Sequence, residues 1–145
     1  MGHILSLDHI AVGLSGDSLS QFQRVMGLLA LPKVGEERVD SQGVMTHFYS
    51  VPGGEACLEL LEPLDPLGVV AKFLAKRGPG IHHLCFRVQG LEELMISLSA
   101  QGVQWVYEQP RSGAHGCRVN FIHPRSAGGI LLELSEAQVH QNHSH

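Results

Sequence analysis

Two histidines and two glutamates stand at matched intervals along this chain of 145 residues. His9 precedes Glu59 by 50 residues and His83 precedes Glu133 by 50 residues, so the second pair lies 74 residues after the first. Imidazole nitrogens and carboxylate oxygens are common ligands of divalent metal ions. If the chain is a duplication whose halves pack about a pseudo-two-fold axis, the four side chains converge and form a metal site.

The neighbours of the two glutamates support this interpretation. Glu59 lies between Leu58 and Leu60, and Glu133 also lies between two leucines. A carboxylate buried in an apolar strand costs free energy unless it is paired or bound to a metal. For either glutamate alone, a position on the solvent face of a half-exposed sheet is the alternative. The matched spacing of all four residues favours the metal site.

The segments around these residues predict two copies of one βαβββ unit. Alternating apolar residues predict strands, and apolar residues at helical spacing predict helices. The first copy is predicted to have strands at 5–14, 31–37, 44–51 and 56–61, with a helix through 19–26 that Gly27 caps. The second copy is predicted to have strands at 81–88, 103–107, 118–122 and 130–134, with a helix at 91–100 that Gly102 ends.

This order of elements predicts an α+β fold, in which two tandem βαβββ modules form a curled mixed sheet around a metal-binding cleft. We expect one domain at 1–136, with repeat one at about 5–62 and repeat two at about 81–136. A linker at 63–80 contains a short helix at 69–77. The polar, histidine-rich residues 137–145 are expected to be a flexible tail.

Composition argues against several classes of protein. The formal net charge of −4 argues against a broad nucleic-acid-binding surface, so no nucleic-acid partner is expected. No apolar run approaches the roughly 20 residues that span a bilayer, so no membrane partner is expected either. The three cysteines, Cys57, Cys85 and Cys117, lack CxxC spacing and indicate reduced thiols. A cytoplasmic location is therefore expected.

Several motifs, in their order along the chain, resemble the methylmalonyl-CoA epimerase family of the vicinal oxygen chelate, or glyoxalase, superfamily. The resemblance covers residues 5–136. The segment Leu7-Asp-His-Ile-Ala-Val12 is of a kind found across the superfamily. The motifs more specific to the epimerases are Gly80-Ile-His-His-Leu84, Gly113-Ala-His-Gly116 and His123-Pro-Arg-Ser-Ala-Gly-Gly129.

The resemblance implies a metal-dependent enzyme that interconverts the R and S forms of methylmalonyl-CoA through an enolate. It implies an acyl-CoA substrate, a homodimer, and a divalent ion (Co, Mn, Zn, Ni or Fe) held by His9, Glu59, His83 and Glu133. Glu133 is then one base. Glu59 stands at the fourth ligand position, which is often Gln in the family, and is a candidate for the partner base. Thr46 stands where some members carry a glutamate that is thought to be a base, and threonine is a poor base at neutral pH. Either Glu59 replaces that function, or Glu133 works with a water or another group.

The resemblance also suggests residues that contact the substrate. These are Gln42, His115, Gly116 and Arg125. Further basic side chains are available for the coenzyme A phosphates, namely Lys72, Lys76, Arg77, Arg111 and Arg118. Strand alternation places His82 on the face opposite His83, which predicts a structural role for it. Trp105 and Phe121 are predicted to be core residues.

Three other functions fit parts of this pattern. A lactoylglutathione lyase has a similar ligand set, including a carboxylate at the position of Glu59. A non-haem Fe(II) dioxygenase needs two histidines and one carboxylate with open positions, and a ligating Glu59 fills one of those positions. A non-catalytic binding protein of the same fold needs no metal, so the four ligand-type residues argue against it.

Overall fold

The computed structural model describes residues 2–54 and 56–138. The first half of the chain forms β1 (His3–Gly13), α1 (Gly16–Leu28), β2 (Lys33–Val39), β3 (Val44–Ser50) and β4 (Cys57–Pro63). The helix α2 (Val69–Arg77) links it to the second half. The second half forms β5 (Gly80–Gln89), α3 (Leu91–Ala100), β6 (Arg111–Ser112), β7 (Arg118–Ile122) and β8 (Leu132–Glu136).

The eight strands in the described part of the chain form one mixed sheet in the order β2-β3-β4-β1-β5-β8-β7-β6. The order of the second half mirrors that of the first, with β5 in the place of β1 and β8 in the place of β4. The pairs β1–β4 and β5–β8 are parallel, and the remaining neighbours are antiparallel. The antiparallel pair β1–β5 joins the halves. The predicted α+β fold of two tandem βαβββ modules in a curled sheet is confirmed.

The apolar residues separate onto the two faces of this sheet because side chains alternate along each strand. Val12 and Leu60 pack with α1 on one face, and Val88 and Leu134 pack with α3 in the second module. Ala11 lies on the other face of β1, in a cluster that Val70 of α2 completes. The inner face of the sheet is therefore covered in part by the linker helix, and this is where the candidate site lies.

The strand predicted at 103–107 is wrong. Within this segment Trp105 makes a single isolated bridge to Ile122, and the strand that follows is Arg111–Ser112. The backbone N–H of Tyr107 donates to the side-chain Oδ1 of Asn120, and Asn120 Nδ2 donates back to the carbonyl of Tyr107. A side-chain amide thus takes the hydrogen bonds that a ladder would need, and regular pairing stops there.

The ends of α1 and α3 have the same hydrogen bonds but different residues at the left-handed position. In α1 the N–H of Ala30 bonds the carbonyl of Gly27, and in α3 the N–H of Gly102 bonds the carbonyl of Ser99. Gly102 has φ +89 as predicted, whereas the left-handed residue after α1 is Ala30, with φ +58. The predicted cap at Gly27 is therefore wrong, because α1 continues through Leu28 before the chain turns.

Ala30→Gly is expected to raise the free energy of unfolding by about 1 kcal/mol, because a Cβ is disfavoured in the left-handed region. The matched reverse change is Gly102→Ala, which should lower it by a similar amount. A Cβ added at Gly102 meets no atom within 4 Å, so the cost there is conformational rather than steric. Urea unfolding of both variants measures the two effects, and a less stable Ala30→Gly protein would contradict the assignment.

Three expectations from the sequence stay predictions, namely the domain limits, the flexible tail and the homodimer. For the tail, Ala137 and Gln138 are described, but 139–145 lie outside the described residues. Among the described residues no helix is both long enough and apolar enough to cross a membrane.

Candidate active site

The four ligand-type residues lie on the four central strands of the sheet. His9 is on β1, Glu59 on β4, His83 on β5 and Glu133 on β8, and each of the four residues is less than 10 % exposed. Ala11 on β1 is the register partner of both Glu59 and His83, so one small residue lies between the two larger ones.

The second module repeats this arrangement at Cys85. It is the partner of both His9 and Glu133, and like Ala11 it is fully buried. The two-fold relation predicted from the spacing of 74 residues therefore appears in the strand register.

Three of the side chains meet at one point. The Nε2 atoms of His9 and His83 are 3.1 Å apart. Glu133 Oε1 lies 2.8 Å from Nε2 of His83 and 3.4 Å from Nε2 of His9. The sequence predicts that four side chains converge, and in the structure the ligand atoms of these three do.

Glu59 approaches the same cluster from the other side of His9. Its Oε2 lies 2.9 Å from Nδ1 of His9, whereas His83 and Glu133 face Nε2. The tight three-residue group of ligand atoms therefore comprises His9, His83 and Glu133.

The charges in this cluster stabilise one another. Burial acts to lower the pKa of His9, but hydrogen bonds to Asp8, Cys85, Glu133 and Glu59 outweigh it and raise that pKa. Burial acts to raise the pKa of Glu133, but hydrogen bonds from His83 and His9 lower it to about 2. At neutral pH the cluster therefore contains an ionised Glu133 and a protonated His9.

The donor set and its spacing fit a divalent metal ion. Two ligand atoms that are each about 2.0–2.2 Å from an ion lie about 3–3.5 Å apart in tetrahedral or octahedral geometry. The three separations of 2.8, 3.1 and 3.4 Å are close to that range. A second group, Asp8, His9 and Cys85, is a poorer site, because burial raises the pKa of Cys85 to about 12 and keeps the thiol protonated.

Zinc binding at pH 7 is expected to release about one proton per ion, because a ligating nitrogen must be unprotonated and the raised pKa of His9 keeps it charged in the metal-free protein. The sign follows directly, since protons compete with the metal and its affinity should rise as pH rises. Titration calorimetry in two buffers of different ionisation enthalpy counts the protons. An affinity that is constant between pH 6 and pH 8 would contradict this expectation.

A cavity of about 60 Å³ adjoins the cluster. Its walls come from both modules, and Val70 of α2 and Phe121 of β7 close two of its sides. Thr46 lines it and is only 2 % exposed, so the position carries a buried hydroxyl rather than a carboxylate. Gln42 also lines it, and its buried Nε2 has no hydrogen-bond partner among the described residues. Gln42 thus presents an unused donor at the cavity.

The loop at 113–116 crosses from the second module to the first. The backbone N–H of His115 donates to Glu37, and the ring of His115 packs on Phe48 at a centroid distance of 4.5 Å. Gly113 and Ala114 of this loop line the cavity, and His115 lines a wider opening of about 250 Å³ beside His9. The predicted substrate residues His115 and Gly116 therefore belong to a loop that covers the cleft.

A groove of about 540 Å³ runs alongside α2 and meets the cavity at His82 and His83. Its lining includes Lys72, Lys76 and Arg77 of α2. The predicted substrate residue Arg125 is exposed and follows Pro124, which also lines the groove. Arg118 instead pairs with Glu92, and Arg111 lies over the ring of Tyr107 at 4.0 Å.

The prediction that His82 faces away from His83 is wrong. His82 lines the same cavity as His83, and the Nδ1 atoms of the two rings are 2.8 Å apart. The pairing of β1 with β5 shifts register at this point, so strict alternation of side chains fails there. Burial and the nearby charge of His83 lower the pKa of His82 to about 4, which keeps the ring neutral.

Two other residues at the site were not identified from the sequence. Asp8 lies 2.7 Å from Nδ1 of His9, at a second register shift in the same strand pair. Phe121 is a core residue as predicted, but its ring also packs edge-on against His83 at 5.6 Å and lines the cavity. Asp8 and His82 could have been identified from the sequence, because each is adjacent to a predicted histidine ligand. No sequence feature pointed to Phe121 as part of the site.

Comparison with known proteins places this site in context. Residues 8–121 match the model of the Glyoxalase/Bleomycin resistance protein/Dioxygenase superfamily. The mitochondrial methylmalonyl-CoA epimerase of Dictyostelium discoideum is 32% identical over 133 residues, which cover 90% of this chain and 77% of that protein.

Two solved structures have the same fold. The crystal structure of methylmalonyl-CoA epimerase from Mycobacterium tuberculosis superposes with a TM-score of 0.85 at 41% identity, and covers 93% of this chain and 89% of that one. A Streptomyces coelicolor methylmalonyl-CoA epimerase in complex with 2-nitronate-propionyl-CoA has a TM-score of 0.83 at 28% identity, and covers 94% and 100%.

Proposed function

Because the chain belongs to the Glyoxalase/Bleomycin resistance protein/Dioxygenase superfamily, and within it to the family of the methylmalonyl-CoA epimerases, we propose that it is a metal-dependent methylmalonyl-CoA epimerase. It interconverts the R and S forms by taking the proton from C2 and returning it on the other face. The observation that carries the proposal is the buried convergence of His9, His83 and Glu133 beside a small cavity.

The residues that would hold the metal are His9, His83 and Glu133, with Glu59 as the fourth ligand. When bound, a divalent ion supplies Lewis-acid stabilisation of the charge that develops on the substrate oxygens. The two imidazoles and the carboxylate do not select one metal among Co, Mn, Zn, Ni and Fe. The loop at 113–116 and α2 enclose the cavity and restrict the access of water to the reacting carbon.

Glu133 is one of the two bases in this proposal. Its carboxylate is ionised at neutral pH and adjoins the cavity. The hydrogen bonds that lower its pKa to about 2 come from His83 and His9. A base is most efficient when its pKa is near the working pH, so Glu133 would act as a base at neutral pH only after these hydrogen bonds are lost.

Glu59 is the partner base. Inversion at C2 requires one group on each face of the substrate, and Glu59 and Glu133 approach His9 from its opposite nitrogens. Thr46 lines the cavity but has no group that accepts a proton at neutral pH, so the second base must come from elsewhere in the cavity wall. Glu59 is the second glutamate in that wall.

Glu59→Gln is expected to separate exchange from inversion. The variant should still exchange the C2 hydrogen of one epimer with solvent through Glu133, and should lose at least about 100-fold of the exchange of the other. Deuterium incorporation into each purified epimer measures this by NMR. Glu62→Gln on the same strand is the control, since Glu62 contacts His47 rather than the cavity. Equal loss for both epimers would show that Glu59 is not a base for one face.

Gln42 and the basic groove complete the substrate site. The unpartnered Nε2 of Gln42 is a donor for an oxygen of the substrate in the cavity. The cavity of about 60 Å³ cannot contain coenzyme A, so that part of the substrate must lie outside it. The groove with Lys72, Lys76 and Arg77 offers positive charge for its phosphates, next to Arg125. His115 and Gly116 contact the substrate through the covering loop.

The direct test is proton NMR of methylmalonyl-CoA in D2O with the metal-loaded protein. We expect the C2 hydrogen signal to disappear faster than with the protein treated with EDTA. Retention of the signal with the metal bound would overturn the proposal. The next substrate would then be the hemithioacetal of methylglyoxal and glutathione, for a lactoylglutathione lyase. Oxygen uptake with Fe(II) would test a dioxygenase.

A further inference from the structure

We propose that Asp8 and His82 are positioning residues that keep the proton of His9 and of His83 on Nδ1, and so leave both Nε2 atoms free to bind a metal ion. The inference rests on the metal site proposed above, but it does not depend on which substrate the protein binds. It assigns a role to two residues whose side chains strict strand alternation would direct away from the site.

Two register shifts at equivalent positions make these contacts geometrically accessible. In the pairing of β1 with β5, one shift falls at Asp8, between Leu7 and His9. Another falls at His82, between Ile81 and His83. The two positions are 74 residues apart, which is the offset of the repeat. An extra residue in one strand bends it and redirects a side chain, and such bulges are frequent beside active sites.

Both redirected side chains reach the same atom of the neighbouring histidine. Asp8 Oδ2 is 2.7 Å from Nδ1 of His9, and His82 Nδ1 is 2.8 Å from Nδ1 of His83. The ring of His82 stands edge-on between His83 and Phe73, at centroid distances of 5.1 and 5.0 Å. Packing against these two rings favours the orientation in which His82 contacts His83.

The chemistry of the donors decides where each proton lies. A neutral imidazole has one N–H, and an ionised carboxylate can only accept a hydrogen bond. Asp8 therefore requires a proton on Nδ1 of His9, which leaves the lone pair on Nε2. The carboxylate also increases the electron density of the imidazole, as it does in many metal sites.

His82 holds the proton on Nδ1 of His83 in the same way, but as a neutral ring rather than a carboxylate. Two Nδ1 atoms at 2.8 Å share one proton, so one ring donates and the other accepts. In the metal-free structure Nε2 of His83 lies 2.8 Å from Glu133 and donates to it. If His82 accepts once a metal ion replaces that proton, His83 has its proton on Nδ1 and its Nε2 lone pair faces the point where the ligand atoms converge. The reverse assignment would place the His83 proton on Nε2, at the point where the ligand atoms converge.

Asp8 has a further consequence for Glu59. Both carboxylates approach Nδ1 of His9, at 2.7 and 2.9 Å, and that nitrogen has a single proton. The contact with Asp8 meets the geometry of a hydrogen bond. If Asp8 holds this proton, Glu59 is free to act as a ligand or as a base.

Conservative variants distinguish positioning from packing. Asp8→Leu and His82→Phe remove the acceptor, and His82→Phe keeps a ring against Phe73. Asp8→Asn keeps an acceptor oxygen and is the rescue variant. Asp17→Leu, on the first turn of α1, and His123→Phe are controls for the same types of change outside the site.

The experiment measures zinc affinity by competition with a chelator, and the histidine tautomers of the zinc-loaded protein by long-range proton–nitrogen NMR. We expect His9 and His83 to have Nδ1–H, with Nε2 bound to zinc. Asp8→Leu and His82→Phe should each weaken zinc binding by about 10–100-fold, Asp8→Asn by much less, and the controls not at all.

Two results would overturn the inference: wild-type affinity in both acceptor-free variants, or a wild-type spectrum with the proton of either histidine on Nε2. The spectrum uses the unmodified chain, so it decides the matter even if a variant fails to fold. Neither measurement involves a thioester. If the protein proves not to be an epimerase, the result for Asp8 and His82 would therefore be unchanged. If the roles of Asp8 and His82 are wrong, the epimerase proposal would likewise be unchanged.

Discussion

Glu133→Gln is expected to lower the rate of epimerisation by about 10²–10⁴-fold, which is the usual contribution of a general base. The amide oxygen of glutamine can still bind a metal, but it cannot take a proton from C2. Because Gln has nearly the same shape as Glu, the side chain should keep its position between His83 and His9. Epimerisation of methylmalonyl-CoA, followed with the metal-saturated variant, measures the effect.

Glu136→Gln is the matched control for this change. Glu136 lies on the same strand, β8, but it accepts hydrogen bonds from the N–H groups of Gly90 and Leu91 at the start of α3. Its amide can continue to accept them, so full activity is expected. An active Glu133→Gln enzyme would remove Glu133 from the mechanism. If the unmodified protein shows no turnover and Glu133→Gln binds acyl-CoA normally, the protein instead sequesters its ligand.

Removal of the His83 imidazole should have the second large effect. In the proposed site His83 is a direct ligand, so His83→Ala is expected to weaken metal binding by more than the roughly 100-fold that loss of an indirect contact costs. Activity should fall with metal occupancy. Glu133 would also lose its 2.8 Å partner, and an unpaired buried group costs about 1–3 kcal/mol. Chelator competition and thermal unfolding of the metal-free protein measure the two effects separately.

His47→Ala controls for the loss of any buried histidine. His47 and His83 are each 6 % exposed. However, His47 contacts Glu62 and Glu36 rather than the metal-ligand candidates. This variant should lose stability but keep its metal. Equal metal loss in both variants would indicate that folding, and not ligation, explains the effect of His83→Ala.

The elements that position these side chains were largely predictable. The helices α2 and α3 have the bounds that their apolar spacing predicts, and most strands differ by one or two residues at their ends. These elements depend on local side-chain periodicity, which is written in the sequence. In the exception at 103–107 the pairing stops at Tyr107, because the side chain of Asn120, 13 residues later, takes the backbone hydrogen bonds of Tyr107. No local pattern contains that information.

The candidate site divides in the same way. The sequence by itself determined that His9, His83 and Glu133 would converge, because a duplication places equivalent residues at a constant offset and a two-fold axis brings them together. Only the tertiary structure decided which nitrogen of His9 each glutamate contacts, and that Val70 and Ala114 help to enclose the cavity. It also decided that Asp8 and His82 reach Nδ1 of their neighbours. Those contacts depend on the register between β1 and β5, which is set by non-local packing. A shift of that register by one residue moves a side chain to the opposite face of the sheet.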